Sequence, residues 1–231
     1  MNDDIFKLPF VEAEAWFRDK INIPTLAYDD LVGAAQAKAF VSAGAYQADL
    51  LIELRSMTDK AIAGDMNIRE FRTQFRPLLE RYGWQLKGGG PSWRSDLIWR
   101  TNINSAYQAG RWQQFEAGGI ENLKYVHNDS VRNPRPNHVA MNGTVLPRTD
   151  RFWAKNYPPN GWGCKCKAVI ALDSEVPKKR PEGWENLADP GWDYNVGTAG
   201  KDQLFASIKE KKDSMPADIA EAWQKKLDDN I

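Results

Sequence analysis

The chain has 231 residues, ten tryptophans and a formal net charge of zero, with a mean hydropathy of −0.61. That length suffices for one large domain or two small ones with genuine cores, and the aromatic content excludes the composition of a disordered chain. No apolar run approaches the roughly 20 residues of a membrane helix, the opening MNDDIFKLPF has no signal-peptide core, and two cysteines are too few for a disulfide framework, so a soluble protein with no membrane partner, made in a cytoplasm, is expected.

Charge is spread unevenly. Residues 1–91 hold 11 basic and 13 acidic side chains, residues 92–180 hold 14 and 7, and residues 181–231 hold 6 and 11. A basic middle between acidic flanks fits an anionic partner such as nucleic acid, and equally fits packing of the segments on one another.

In chain order, the run AAQAKAFVSAGAYQADLLIELRSMTDKAIAGD is rich in helix formers and free of proline, which predicts a helix ended at Gly64. Ala37, Val41, Ala45, Ala48 and Ile52 recur at helical spacing, with Phe40 and Leu51 beside them, and form its expected buried face. NIREFRTQFRPLLERYGW predicts a second helix, capped by Asn67 with Glu70 three residues on and bent or restarted at Pro77. KGGGPS, residues 87–92, is the clearest linker. Ser92 then reads as the cap of a helix from Trp93 to about Ala117, stopped by Gly118-Gly119. Arg100, Asn104 and Arg111 fall near one stripe of it, with Thr101 and Gln108 beside them. Such a stripe is either the wet side of the helix or a docking surface for an anionic or peptide partner.

Beyond Gly119 the pattern changes. NLKYVHND has strand character, SVRNPRPNHVAMNGTVLPRTDRF is rich in turns, and GCKCKAVIAL reads as a second strand. GWENLADPGWDYNVGTAG is loop, followed by two short helices in KDQLFASIKEKK and ADIAEAWQKKLDD. The expected fold class is α+β: a helical amino-terminal region over 1–86, the linker 87–92, a small loop-rich module with a few short strands over 93–200, and a helical tail over 201–231.

Both cysteines, Cys164 and Cys166, stand in GCKCKAV. In a strand, residues i and i+2 project from one face about 6.6 Å apart, with Lys165 and Lys167 opposite. That spacing sits awkwardly for a disulfide and suits two thiolates converging on one zinc ion. His138 is available as a third ligand, and His127 or Asp129 as a fourth. A zinc held there would be structural, pinning the loop-rich stretch 127–166. The alternative is two small buried thiols under the tryptophan loops, with His138 hydrogen-bonded in a turn. No H-E-x-x-H, H-x-E…C-x-x-C, G-x-S-x-G or P-loop pattern is present. A Cys–His nucleophile would need His138 beside one thiolate, and a nucleic-acid-acting enzyme would set Arg100, Arg111 and Arg132 on phosphates with His138 as base.

Several separated motifs, in order, resemble the phage Mu F-like minor head proteins, also called phage head morphogenesis proteins. They are carried by Asp129, Arg132, His138, Gly143, Trp153, Pro158, Pro159, Gly161, Gly163, Cys164 and Cys166 in DSVR…HVAMNGTV…FW…YPPNGWGCKC. Upstream, WRSDLIWRTNINSAYQAGRWQQ resembles the family's Arg-Thr-Asn helix at Arg100, Thr101 and Asn102, with Ala106, Tyr107, Gly110 and Arg111 following. LADPGWDYNVGTAG is similar to its closing loop. The resemblance implies a non-enzymatic virion component, assembled in the host cytoplasm and residing in the capsid interior or at the portal vertex. It would contact portal, scaffold or major capsid protein, and packaged DNA without sequence specificity, with Arg100, Asn104, Arg111 and Arg132 as the contact residues. About 30 residues follow the closing loop, too few for the carboxy-terminal toxin domain of some relatives. Trp153, Trp162, Trp184 and Trp192 are either interface anchors or plugs of a loop-rich core.

Overall fold

The computed structural model describes residues 10–86, 88–172, 174, 175, 177 and 179–229. Its fold is α+β, with helices at both ends and a three-stranded sheet between them. Most of the linker expected at 87–92 lies within the described residues, with Lys87 outside them.

Helix α1 (Val11–Arg18) leads into the two-residue strand β1 (Ile21–Asn22), which pairs in parallel with β2 (Ala39–Phe40) directly after the single-turn helix α2 (Ala35–Lys38). Helix α3 spans Ala48–Ala63 and ends at Gly64 as expected. The long helix predicted from the alanine-rich run therefore begins later and is interrupted. Gly44 takes φ +80°, a conformation that side chains disfavour, its amide bonds Thr25 O, and a Cβ there would lie 3.2 Å from Trp84 Nε1. The expected buried face holds in part: Ala37, Phe40, Ala45 and Leu51 are buried, whereas Ala48 is exposed and Ile52 is 57% exposed, and Leu50 and Leu54 point inward instead. Local helix propensity loses here to strand pairing and to contact with a tryptophan some 40 residues away.

Helix α4 (Ile68–Tyr82) carries the expected capping box: Asn67 Oδ1 accepts from the Arg69 and Glu70 amides at 2.9 and 3.1 Å, and Glu70 accepts from the Asn67 amide at 2.8 Å. It runs through Pro77 without a break, anchored by buried Phe71, Phe75 and Leu78. Helix α5 (Pro91–Ala117) is the spine of the molecule, about 40 Å long. It starts at Pro91, with Gly90 as its cap in place of the expected Ser92, because proline suits the first helical position, where an amide has no partner to lose. Helix α1 crosses α5 so closely at Gly110 that a Cβ there would come within 2.8 Å of Ala13 N.

The sheet has the order β4 (Val145–Pro147), β3 (Asn122–Val126), β5 (Lys167–Ile170), all antiparallel. On β3, Leu123 and Tyr125 face the core. Strand β4, inside a stretch that reads as turns, exists because Leu146 and Val145 pair with Leu123 and Lys124. The second strand is shorter than expected, since the two cysteines precede it; even so, burial alternates from the start, with Cys164, Cys166 and Ala168 inside and Lys165 and Lys167 outside.

One buried cluster runs from Ala13 to Ala199, taking in α1, α3, α4, α5 and the sheet. A second joins Ile23, Leu31, Ala35 and Ala39 to Leu204, Ile208, Ile219, Trp223 and Leu227, and so docks helices α8 (Lys201–Lys211) and α9 (Ala217–Asp228) onto the segment after α1.

Candidate metal centre

His127 follows the last residue of β3, and His138 sits on the short helix α6 (Pro136–Ala140). Cys164 and Cys166 lie in the loop between α7 (Phe152–Asn156) and β5. That loop is held from below by one stripe of α5. Gly163 N donates to Thr101 Oγ1 at 3.4 Å, Asn104 Nδ2 donates to Cys164 O at 2.9 Å, and Ala168 N donates to Gln108 Oε1 at 3.1 Å. Tyr157 OH donates to Gln108 O at 2.8 Å, and Tyr125 OH donates to Asn160 Oδ1 at 3.0 Å. Positions 101, 104 and 108 share one helical face, so this part of the stripe is turned inward and positions the cysteines. Asn104 thus departs from the partner-facing role expected of it: its amide is committed to a carbonyl of the cysteine loop. Arg100 and Arg132 are exposed, and Arg111 is half-buried.

The loop brings His138, Cys164 and Cys166 together, all buried, with their ligand atoms within 4.8 Å of one another. His138 Nδ1 is 3.7 Å from each sulfur, and His127 Nδ1 is 3.4 Å from Cys166 Sγ. His127 touches only one edge of the trio. Asp129 is exposed and stands outside the cluster. The Cys166 amide donates to Cys164 Sγ at 3.4 Å, a contact that favours a thiolate. Cys166, bonded by Cys164 and further by His138, Tyr125 and His127, ionises far more readily than a free thiol despite its burial. Cys164, facing that sulfur in a buried setting, holds its proton instead. Burial pushes the Tyr125 phenol up, so it remains a neutral donor beside them.

Behind His138 lies a residue that the sequence did not single out. Asp189 Oδ1 is 3.5 Å from His138 Nε2, long for a hydrogen bond but within ion-pair range. Its other oxygen pairs with Arg135 Nε at 3.1 Å, and Arg135 also donates to Trp162 O at 2.7 Å. A Cβ on Gly161 would fall 2.1 Å from Asp189 Oδ2, so only glycine leaves room for this carboxylate. Asp189 comes from the closing loop, more than 20 residues past the cysteines, and only its place in that loop could have drawn attention to it. Of the four tryptophans, Trp153 and Trp192 are 1% and 2% exposed and Trp162 and Trp184 are half-buried, so they plug the loop core.

The class defined by this architecture is a helical scaffold that holds a loop-rich α+β module closed by histidine and paired cysteines. The family model for phage Mu protein F like proteins matches residues 53–169, half of the chain and nearly all of the cluster's supports. The chain belongs to that family. It is 33% identical to the "Putative capsid assembly protein F" of Escherichia phage Mu, over 90% of this chain and 59% of that protein. It is 28% identical to the Mu-like prophage FluMu F protein of Haemophilus influenzae, over 78% of this chain and 54% of that one. The chain thus spans a little over half the length of these curated relatives. No solved structure matches it.

Proposed function

We propose that this protein acts in phage head morphogenesis as a minor head component, and that His138, Cys164 and Cys166 hold a structural zinc ion, with His127, now in contact with Cys166 alone, as the candidate for the fourth position. The observation that carries the metal reading is a set of distances. Sulfur and nitrogen at the corners of a zinc tetrahedron, with bonds of about 2.3 and 2.0–2.1 Å, stand about 3.5 Å apart. His138 Nδ1 stands 3.7 Å from both sulfurs, and His127 Nδ1 stands 3.4 Å from Cys166 Sγ. A buried set of two sulfurs and two imidazoles is also a donor set that selects zinc. Zinc would join the end of β3, the short helix α6 and the cysteine loop. When bound, it supplies a cross-link, and the chain's residues supply a buried setting for it. Metal analysis of purified protein is expected to return about one zinc per chain, lost in Cys164→Ser and Cys166→Ser. Folded, metal-free protein with an unchanged melting temperature after chelation would remove the zinc reading.

The head-assembly reading rests on the family and on the printed role of the phage Mu relative. Portal, scaffold or major capsid protein are the partners it implies, in the virion, and no helix among the described residues is long and apolar enough to cross a membrane. Arg100 and Arg132 are exposed and pair with no carboxylate among the described residues. With Arg111 they would meet DNA phosphates without reading sequence. Co-purification with portal or major capsid protein is the expected result. Binding to neither, together with a reaction abolished by His138→Ala, would establish the enzymatic alternative instead.

A further inference from the structure

Helices α4 and α5 meet along a charged seam. On α4, Arg69, Arg72 and Arg76 share one face, and on α5 Trp93, Asp96 and Arg100 do. The faces are joined where Arg72 Nε and Nη2 donate to the two oxygens of Asp96, each at 2.6 Å. The chain reverses between the two helices, so Arg76 lies on the Trp93 side of this pair and Arg69 on the Arg100 side. Arg69 and Arg76 are exposed. Arg72 and Arg81 have carboxylate partners in Asp96 and Glu53, whereas the guanidiniums of Arg69 and Arg76 have none among the described residues.

Trp93 is 54% exposed, yet its ring is held in place. It lies against Gly89 so closely that a Cβ there would overlap it, and the Arg94 guanidinium sits 5.5 Å from its centre. A fixed, exposed indole beside unpaired guanidiniums has the composition of an interface hot spot. The middle of the seam is an ion pair that is already closed. It therefore fits a partner whose two carboxylates stand apart, rather than a continuous polyanion whose charges would also face Asp96.

The chain itself carries such a partner. On α9, Glu221, Lys225 and Asp228 share the exposed face, opposite buried Ile219, Trp223 and Leu227. Glu221 and Asp228 are spaced as Arg69 and Arg76 are, about 10.5 Å along a helix axis. Lys225 falls between them at the level of Asp96, whose carboxylate keeps lone pairs for a second donor. Trp223 packs on residues 21–41 and turns this stripe away from its own chain, so the seam it would fill belongs to another copy.

We propose that the protein associates with itself head to tail, α9 of one copy lying along the α4–α5 seam of the next. Glu221 meets Arg69, Lys225 meets Asp96 and Asp228 meets Arg76, with Trp93 supplying the apolar contact that exposed ion pairs alone lack. The two surfaces differ, so the contact repeats from copy to copy and builds a ring or an open chain. None of these groups is among the cysteine and histidine donors, and Arg100 stays outside the contact at the end of the seam.

The test is sedimentation velocity of the full chain over a dilution series. The parent is expected to form dimers and larger species that dissociate as ionic strength rises. Arg69→Glu with Arg76→Glu, and separately Glu221→Arg with Asp228→Arg, should each weaken association about a hundredfold, roughly tenfold per reversed pair. Circular dichroism should stay unchanged in both. Trp93→Ala, which alters no charge, should weaken association about tenfold. A chain carrying all four reversals keeps the parent's net charge and should associate as the parent does. A parent that is monomeric up to about 0.1 mM, reversals without effect, or a folded fourfold variant that stays monomeric would overturn the contact. So would a monomeric parent whose seam binds duplex DNA or a capped acidic peptide, with binding lost in Arg69→Glu and Arg76→Glu, since the occupant would then be another molecule.

Discussion

On the zinc reading, Asp189 would act through His138, as a carboxylate behind a metal-ligating imidazole orients its ring, and Asp189 is itself fixed by Arg135 and by the missing side chain at Gly161. In metal-loaded protein, Asp189→Asn is expected to weaken zinc by about 10–100-fold, read by competition with a chromophoric chelator. Gly161→Ala should act in the same direction by displacing the carboxylate. Asp150 offers a test that involves no metal. It accepts from Arg180 at 2.7 and 3.0 Å and from the Phe152 amide at 2.8 Å. Burial pushes its carboxyl up, but these donors outweigh burial and hold it below the usual carboxylate range. A carboxyl depressed in the folded state stabilises fully above its unfolded pKa of about 3.9, and that contribution fades as pH falls through the lower folded value. Asp150→Asn should therefore cost about 1–2 kcal/mol at neutral pH, and the difference from the parent should shrink below about pH 4 in urea titrations.

Among the elements, α5 links scaffold to site. Gln108 is 2% exposed and serves β5 through its side chain and Tyr157 through its carbonyl. Gln108→Ala leaves the buried Ala168 amide unpaired and is expected to cost about 2–3 kcal/mol in equilibrium unfolding. This helix also marks how far the sequence can be read. Its glycine stop, the capping box of α4 and the alternation of β3 were legible, because each is set by residues within one or two turns of the chain. The inward use of Thr101, Asn104 and Gln108 was not, since their partners lie some 60 residues on and a polar stripe looks the same whether water or a loop faces it. The false start of α3 has the same origin: Ala39 and Phe40 obey a strand at 21–22, and Gly44 obeys Trp84. At the site, the paired cysteines and His138 stood out by their chemistry, whereas Asp189 is an ordinary loop acid until folding sets it against His138.

For the whole molecule, the cluster from Ala13 to Ala199 spans both sides of the glycine-rich stretch before α5, so the helical scaffold and the cysteine-bearing module share one interior. The smaller cluster ties α8 and α9 to residues 21–41, centred on Trp223, which is fully buried and whose indole N–H donates to Pro24 O at 2.7 Å. Trp223→Ala is expected to cost about 3–5 kcal/mol, visible as a lower urea midpoint, and to free α9 for proteolysis.

That same tie between Pro24 and Trp223 has a temporal side. At a synthesis rate of about 5–20 residues per second, some 10–40 s separate the emergence of the two partners on a ribosome. Until α8 emerges, Ile23, Leu31 and Ala35 have no covering helix, so an early patch of oily surface waits for α8 and then α9 to seal it. The nascent chain therefore passes through a stage when this patch is most open to capture by a neighbour, and that stage ends only when α8 and α9 have been made.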